Sequence, residues 1–134
     1  MTFIALILGI LANLVLSTAS GVQTKSKDAE RKTDINAMDS HFEAYYAEYG
    51  YYPTLANLND TNWRHQYLKG LDDEAFKDPD GTSATLAASP AKHVYSYKSV
   101  GDSGKPCNNT TVDCTSFTVT ATLDQGTSYN KSSY

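Results

Sequence analysis

A run of sixteen uncharged residues begins the chain, and a helical pattern of apolar residues then continues toward residue 52. A helix over residues 3–52 would be about 75 Å long, since each residue adds ~1.5 Å. The chain has 134 residues, and the part beyond this helix is too short to bury a rod of that length. The sequence therefore predicts a subunit whose apolar end is covered by a membrane or by copies of itself.

Three interpretations fit the apolar run. A secretory signal peptide agrees with its length and with the small residues at 17–19, but no Lys or Arg precedes it. A transmembrane anchor agrees with its composition, although the run is slightly shorter than the ~20 residues that span a bilayer and Asn13 interrupts it. The third interpretation is an assembly helix that is stored in a membrane and then extracted into a polymer.

The apolar side chains of this run are expected to be buried away from water. Each buried Leu, Ile, Val or Phe contributes about 1.5–3 kcal/mol, which a bilayer or a bundle of identical helices can supply. Ala5, Gly9 and Ala12 recur at four- and three-residue steps, and small residues at that spacing allow close helix approach. We predict an assembly helix whose core is formed by Phe3, Ile4, Leu6, Ile7, Leu8, Gly9, Ile10, Leu11, Leu14, Val15 and Leu16.

Residues 21–53 are more polar but keep a helical period. Apolar side chains recur there at three- and four-residue steps, which predicts a stripe that packs against a small sheet. Gly50 and Pro53 are expected to end this helix. The stripe consists of Ile35, Met38, Phe42, Tyr45 and Tyr49.

The charge distribution argues against a dedicated nucleic-acid binder. The net charge is −4, whereas such a protein usually carries a basic surface. Asp28, Glu30 and Asp34 interleave with the basic residues of the helix, and this mixture of signs predicts a solvent-exposed helix face. The basic residues are Lys25, Lys27, Arg31 and Lys32.

The remaining 81 residues, 54–134, predict a small head. Residues 54–93 are rich in turn formers and indicate one or two short helices, with a flexible surface loop at 84–91. Residues 94–98 predict a strand, and residues 117–123 predict a second one because apolar and Thr side chains alternate there. The two strands give an antiparallel sheet covered by the helix stripe, so the expected fold class is α+β. The polar tail at 129–134 is expected to be an exposed contact surface.

The chain contains two cysteines, Cys107 and Cys114, between the predicted strands. In a region outside the membrane they favour a disulfide over two free thiols. No His or further Cys stands at metal-ligand spacing, so we predict no metal site at the cysteines.

The sequence shows no catalytic motif, and we predict neither enzyme activity nor a cofactor. His41, His65 and His93 have no partner in a recognisable catalytic pattern and are expected to be surface or packing residues. Residues 78–81, Asp-Pro-Asp-Gly, are similar to the start of a calcium loop but lack its third acidic ligand and closing glutamate. An ordinary turn is the alternative, and we predict no metal there.

Three blocks of the sequence resemble one protein family in their order and spacing. Residues 7–12 read ILGILA, residues 28–36 fit DAxRxxDIN, and residues 43–53 contain ExYY followed by GxYP. In these blocks the chain resembles the type IV pilin family, whose wider superfamily includes the type II secretion pseudopilins. The resemblance is specific over residues 1–53 and looser over residues 75–134.

The resemblance implies a pilin fold in three parts. Residues 1–20 would form the apolar helix of the membrane or filament core, and residues 21–53 its amphipathic continuation. Residues 54–134 would form a globular head with an antiparallel sheet and a disulfide loop. The long helix is thus expected to have an apolar first half and an amphipathic second half packed on the sheet.

The resemblance also implies a function. The chain would be a structural subunit that polymerises with itself through its N-terminal helix into an extracellular filament on the bacterial cell surface. Its expected partners are the inner membrane before assembly, a prepilin peptidase that processes and methylates it, and the pilus assembly machinery. The filament would serve adhesion, twitching motility or DNA uptake, through contacts with a host-cell surface or DNA. The alternatives are a type II secretion pseudopilin and a membrane-anchored adhesin that never polymerises.

One feature departs from the family pattern. Pilins carry a glutamate near the mature N-terminus, which pairs with the terminal amine of a neighbour during assembly, but no glutamate precedes Glu30 here. The matching blocks favour a start shifted by about five residues, with the glutamate upstream of Met1; a carboxylate buried in this region would need such a partner. If Met1 is the true terminus, assembly lacks this ion pair.

Overall fold

A long helix packs against a small antiparallel sheet in the computed structural model, which describes residues 19–133. The predicted assembly helix at residues 3–16 lies outside the described residues. The α+β class with a long helix on an antiparallel sheet is confirmed. In chain order the elements are α1 (Ala19–Tyr49), α2 (Leu55–Leu58), α3 (Thr61–Tyr67), a 3₁₀ helix (Asp73–Phe76), β1 (Ser96–Val100), a 3₁₀ helix (Asp102–Gly104), β2 (Ser116–Thr122) and β3 (Ser128–Ser132).

Helix α1 ends at Tyr49, three residues before the predicted limit at residue 52. Gly50 adopts a φ of 84°, in the left-handed region that favours glycine, and its amide donates to the Tyr46 carbonyl over 2.8 Å. Gly50 is therefore the end signal that the sequence predicts, and the chain turns there toward Pro53. Between residues 19 and 133, no helix is long and apolar enough to cross a membrane.

The sheet has the strand order β1–β2–β3, with both pairs antiparallel. Strand β1 lies two residues later than predicted because the chain before it pairs elsewhere. The Tyr95 carbonyl accepts a hydrogen bond from the Ala87 amide, and the Tyr97 amide donates to the Ala87 carbonyl. Strand β2 ends at Thr122, one residue early, because the Leu123 amide donates to Thr127 in the turn to β3.

The polar tail, whose residues are exposed or half-buried, contains a strand that the sequence did not predict. Residues 128–132 pair with β2, in a register that places Tyr129 opposite Ala121. The Tyr129 hydroxyl donates to Asn36 on α1 over 2.8 Å, so the strand also contacts the helix. Its sequence, SYNKS, has no apolar alternation, so only the pairing with β2 identifies it.

The segment at 84–91 is also better anchored than a flexible loop. Leu86 is buried, and the side chain of Asn59 bonds both of its backbone groups. The Asn59 amide nitrogen donates to the Leu86 carbonyl over 3.0 Å, and its oxygen accepts from the Leu86 amide over 2.8 Å. These two hydrogen bonds hold the segment against the end of α2, where Asn59 lies.

The core lies between α1 and the inner face of the sheet. Ile35, Met38 and Phe42 of the helix stripe are fully buried. The Phe42 ring meets Tyr97 and Phe117 edge-on, with centroids 5.1 and 5.4 Å apart. The alternating residues of the second predicted strand all face this core, and they are Phe117, Val119, Ala121 and Leu123.

A disulfide joins Cys107 to Cys114 and closes the loop that precedes β2. The buried Cys114 also fixes neighbouring backbone, because its carbonyl accepts from the Tyr52 amide and its amide donates to the Asn109 side chain. The loop therefore connects the end of α1 to the sheet.

Removing both sulfurs is expected to destabilise the protein moderately. In the chain-entropy model, a loop of this length contributes about 2–3 kcal/mol, and we expect Cys107→Ala/Cys114→Ala to lose that amount. Urea unfolding of the variant and of the wild type, with and without a reductant, measures the loss. The reduced wild type should resemble the variant; an oxidised wild type no more stable than the variant would contradict the prediction.

Candidate functional site

A buried arginine on α1 is the most unusual feature of the described residues. The side chain of Arg31 is fully buried. Its Nε donates to Asp78 Oδ2 over 2.7 Å and its Nη2 donates to Asp78 Oδ1 over 3.0 Å. This paired arrangement matches the planar guanidinium to the planar carboxylate and fixes both side chains.

Three further carboxylates surround the same guanidinium. Nη1 lies 2.7 Å from Asp28 Oδ1 and 3.1 Å from Asp124 Oδ2, and Nη2 lies 3.0 Å from Asp80 Oδ2. Lys27 pairs with Asp80 at 2.8 Å on the outside. We call this group the arginine cluster, and it consists of Lys27, Asp28, Arg31, Asp78, Asp80 and Asp124.

The arginine cluster ties three separate segments together. Asp28 and Arg31 belong to α1, Asp78 and Asp80 follow the first 3₁₀ helix, and Asp124 lies in the β2–β3 turn. The Asp124 amide donates to Asp28 over 2.9 Å, which adds a backbone contact to the ion pairs. The cluster therefore sets the position of the head along and around the helix.

Ion pairing favours the charged forms of Arg31 and Asp80. The hydrogen bond to Asp78 is the main cause that raises the pKa of Arg31, against the opposing effect of burial. The hydrogen bond from Lys27 is the main cause that lowers the pKa of Asp80. Asp28 Oδ2 is buried without a hydrogen-bond partner among the described residues, so this carboxylate depends on its other oxygen. If Arg31 paired with only one of these carboxylates, less of the desolvation penalty of its buried charge would be offset.

The prediction of a solvent-exposed helix face was wrong for two of its charges. Arg31 is 0% and Asp28 is 3% exposed. The head supplies carboxylates for Arg31 and the Asp124 amide for Asp28, and these partners are distant in the sequence. Residues 78–81, whose sequence is similar to the start of a calcium loop, form contacts within the protein. Both Asp78 oxygens bind Arg31, and the backbone forms a turn in which the Gly81 amide donates to the Asp78 carbonyl.

One side-chain group in the described part of the chain has the spacing of a metal site. Candidate ligand atoms of Asp80, His93 and Asp124 lie within 4.8 Å of one another. All three residues are exposed, and both carboxylates already pair with Arg31. These ion pairs account for the cluster without a metal.

Polar contacts continue along α1 beyond the arginine cluster. Asp34 accepts a hydrogen bond from the Tyr95 hydroxyl over 2.6 Å, and Glu43 accepts one from the Tyr52 hydroxyl over 2.9 Å. The Tyr97 hydroxyl donates to the Pro53 carbonyl over 2.6 Å. These three tyrosines thus place their rings in the core and their hydroxyls on the helix or on the chain that follows it.

Asp34 gives a testable pH dependence. Burial raises its pKa to about 6, and the charge of Glu30 adds to this, against the opposing effect of the Tyr95 hydrogen bond. An acid with a raised folded-state pKa binds protons more readily in the folded state. Its favourable contribution is therefore complete below about pH 4, the unfolded pKa, and is lost as the pH rises through about 6.

We expect Asp34→Asn to be more stable than the wild type by about 1 kcal/mol above pH 6.5, a value reduced for the partial exposure of this side chain. The difference should vanish near pH 4, where the wild-type carboxyl is neutral. Urea unfolding of both proteins at several pH values between 4 and 8 measures it. A constant difference across that range would show that the charge of Asp34 is not its cause.

Tyr49 departs from the predicted packing on the sheet. It is 41% exposed, and its ring contacts Tyr45 and Tyr67 at centroid distances of 4.6 and 5.7 Å. Phe42 makes the stripe's ring contacts with the sheet. The Tyr45 and Tyr49 rings instead contact α3, at Trp63 and Tyr67. Tyr49 therefore contacts the head through Tyr67 of α3.

Five rings form a continuous aromatic surface at this end of α1. Tyr45 is central, 5.2 Å from Trp63 and 6.0 Å from Tyr51, and burial is the main cause that raises its pKa. Two shallow cavities of about 310 and 250 Å³ border the rings. We call this the aromatic surface, and it consists of Tyr45, Tyr49, Tyr51, Trp63 and Tyr67.

Sequence reasoning missed both groups as units. The signal for the arginine cluster was the DAxRxxDIN block together with the acidic pair at 78 and 80. The signal for the aromatic surface was the number of tyrosines, ten in the chain against four phenylalanines.

Within residues 19–133, the arginine cluster lies between the helix and the head, and the aromatic surface lies at the end of α1. No known family model matches the chain, and no curated protein or solved structure gives a significant match either.

Proposed function

We propose that this chain is the structural subunit of a type IV pilus, a filament formed by many copies of it on the bacterial cell surface. The observation that carries the proposal is the structural use of the DAxRxxDIN block. Asp28 and Arg31 enter the arginine cluster, Asp34 bonds Tyr95, and Asn36 bonds Tyr129. Ile35 lies fully buried in the core. Every fixed polar position of the block thus holds the head on the helix.

The arrangement suits a subunit that transmits force. In a filament held together by its helices, tension on a head passes to the helix through their shared contacts. An aromatic core with a buried ionic cluster resists sliding, because a shift of one helical turn would separate Arg31 from Asp78 and Asp124 and leave charges buried without partners. The disulfide adds a covalent limit to opening of the head.

The apolar run supplies the second half of the proposal. Residues 3–16 contain no charge and would be covered first by the inner membrane and then by identical helices. Prepilin peptidase and the assembly machinery are the partners this requires, and adhesion, motility or DNA uptake are activities of the assembled filament.

The experiment is expression of the full chain in a bacterium with a type IV pilus system whose own major subunit is deleted. We expect cryo-electron microscopy of sheared surface material to reveal thin filaments containing this chain. Leu8→Asp places a charge in the apolar run and should abolish them, whereas Thr118→Asp, on the exposed outer face of β2, should not.

The alternatives give different results. A chain recovered only as a detergent-solubilised monomer would overturn the proposal in favour of a membrane-anchored adhesin. Filaments that form only through a type II secretion system would favour a pseudopilin.

A further inference from the structure

We propose that the aromatic surface is the docking site for the apolar run, residues 3–16, of a second copy of this chain. The inference rests on the proposed function and extends it, because it names the head surface that receives a neighbour's apolar segment.

Two neighbouring rings of the aromatic surface are exposed. Tyr49 and Tyr67 are 41% and 36% exposed, and they are two of the three large apolar side chains that are exposed within the described residues. The rings stand next to one another, with centroids 5.7 Å apart and Trp63 5.0 Å from Tyr67. Adjacent exposed aromatic rings are typical of protein interfaces, where they provide large contact areas at little entropic expense.

The apolar run is the occupant that the chain itself offers. It precedes Ala19, the first residue of α1, and it has leucine, isoleucine, valine and phenylalanine side chains but no charge. An uncharged segment adds no ion to the contact, and Glu48, Lys69 and the tyrosine hydroxyls beside the rings can stay at its rim.

The positions of the apolar run and the aromatic surface on one chain define the geometry of the contact between two copies. The apolar run precedes the first residue of α1, and the aromatic surface lies around its last turn. Since α1 has 31 residues, its two ends are about 45 Å apart. A second copy displaced along the helix axis brings its apolar run to this surface. Such a head-to-tail contact uses two different surfaces, and repeated contacts of this kind produce an open filament instead of a closed ring when the rotation does not close.

Photo-crosslinking in the assembled filament tests the contact. p-Benzoylphenylalanine replaces Tyr49 or Tyr67 in full-length chain, and filaments are assembled from a mixture of isotopically light and heavy copies. We expect mass spectrometry to find cross-links from these positions to residues 3–16 that join a light chain to a heavy one. Cross-links that reach only head residues, or only the same copy, would overturn the inference.

Tyr46 provides a matched control. It is 40% exposed and is also on α1, but its ring stacks on Tyr52 and lies outside the aromatic surface. The photo-crosslinker at Tyr46 should give no links to residues 3–16. Equal labelling from Tyr46 would show that the contact is not specific to the aromatic surface.

Substitution gives an independent readout. We expect Tyr49→Ser/Tyr67→Ser to raise the concentration needed for filament assembly about tenfold or more, as loss of interface aromatic residues does. Tyr46→Ser should assemble like the wild type. Circular dichroism and thermal unfolding of the detergent-solubilised chains verify that the variants are folded.

Failures of the two proposals are distinguishable. Wild-type filaments with cross-links elsewhere would overturn this docking site and leave the pilus subunit intact. If the wild-type chain forms no filament in any assembly system, both proposals fail.

Discussion

Arg31→Met is expected to lower the free energy of unfolding by about 3–5 kcal/mol, because it removes the partner of buried carboxylates. Asp78 and Asp28 are almost fully buried and receive their charge-assisted hydrogen bonds from this guanidinium. Methionine fills much of the same volume, so the effect reports the charge and not a cavity. The carboxylates left behind must then be buried unpaired, take up protons, or move outward to water.

Urea unfolding at neutral pH measures the effect, and two controls define its origin. Lys27→Met removes only the exposed pair with Asp80 and should lose at most about 1 kcal/mol. Arg31→Lys keeps the charge but not the paired geometry, so its stability should lie between the two. If Arg31→Met loses no more than Lys27→Met, the arginine cluster is not what holds the head on the helix.

Phe42→Ala is expected to produce a loss of similar size, about 3–5 kcal/mol, by a different mechanism. The ring is 0% exposed and lies between Tyr97 and Phe117, so its removal takes away transfer energy and leaves a cavity between helix and sheet. Rigid aromatic neighbours on both sides limit how far the core can relax into that space.

Thermal and urea unfolding of Phe42→Ala, Phe42→Leu and Tyr46→Ala distinguish the mechanism. Phe42→Leu keeps part of the volume and should lose less than alanine. Tyr46→Ala, on the exposed side of the same helix, should lose about 1 kcal/mol or less. Equal losses at positions 42 and 46 would mean that the core between helix and sheet contributes less than its burial indicates.

The arginine cluster and the aromatic surface have different roles in the proposed filament subunit. The arginine cluster and the Phe42 core act within one chain, so their variants should unfold the head. Tyr49 and Tyr67 act between chains under the docking inference, so their variants should fold normally and assemble poorly. The two sets of variants therefore separate loss of structure from loss of assembly.

Local sequence determined the parts of this fold that depend on neighbouring residues. The period of three and four residues places Ile35, Met38 and Phe42 on the buried face of α1, because that spacing returns to one side of a helix. Gly50 ends the helix because it can adopt a left-handed backbone conformation. The alternation from Phe117 to Leu123 identifies the central strand by the same kind of argument.

Tertiary structure decided everything that depends on residues distant in the sequence. A charged helix face looks solvated until Asp78 and Asp124, which lie 47 and 93 residues after Arg31, are brought to it. The strand Ser128–Ser132 has no apolar pattern, and β2 beside it supplies its backbone partners. Tyr49 continues the helical period, but it stays 41% exposed and its ring contacts Tyr67 of α3. Hydrophobic spacing tells which side of an element is buried, whereas the extent of burial, and the charges that burial can tolerate, depend on what the rest of the chain places against it.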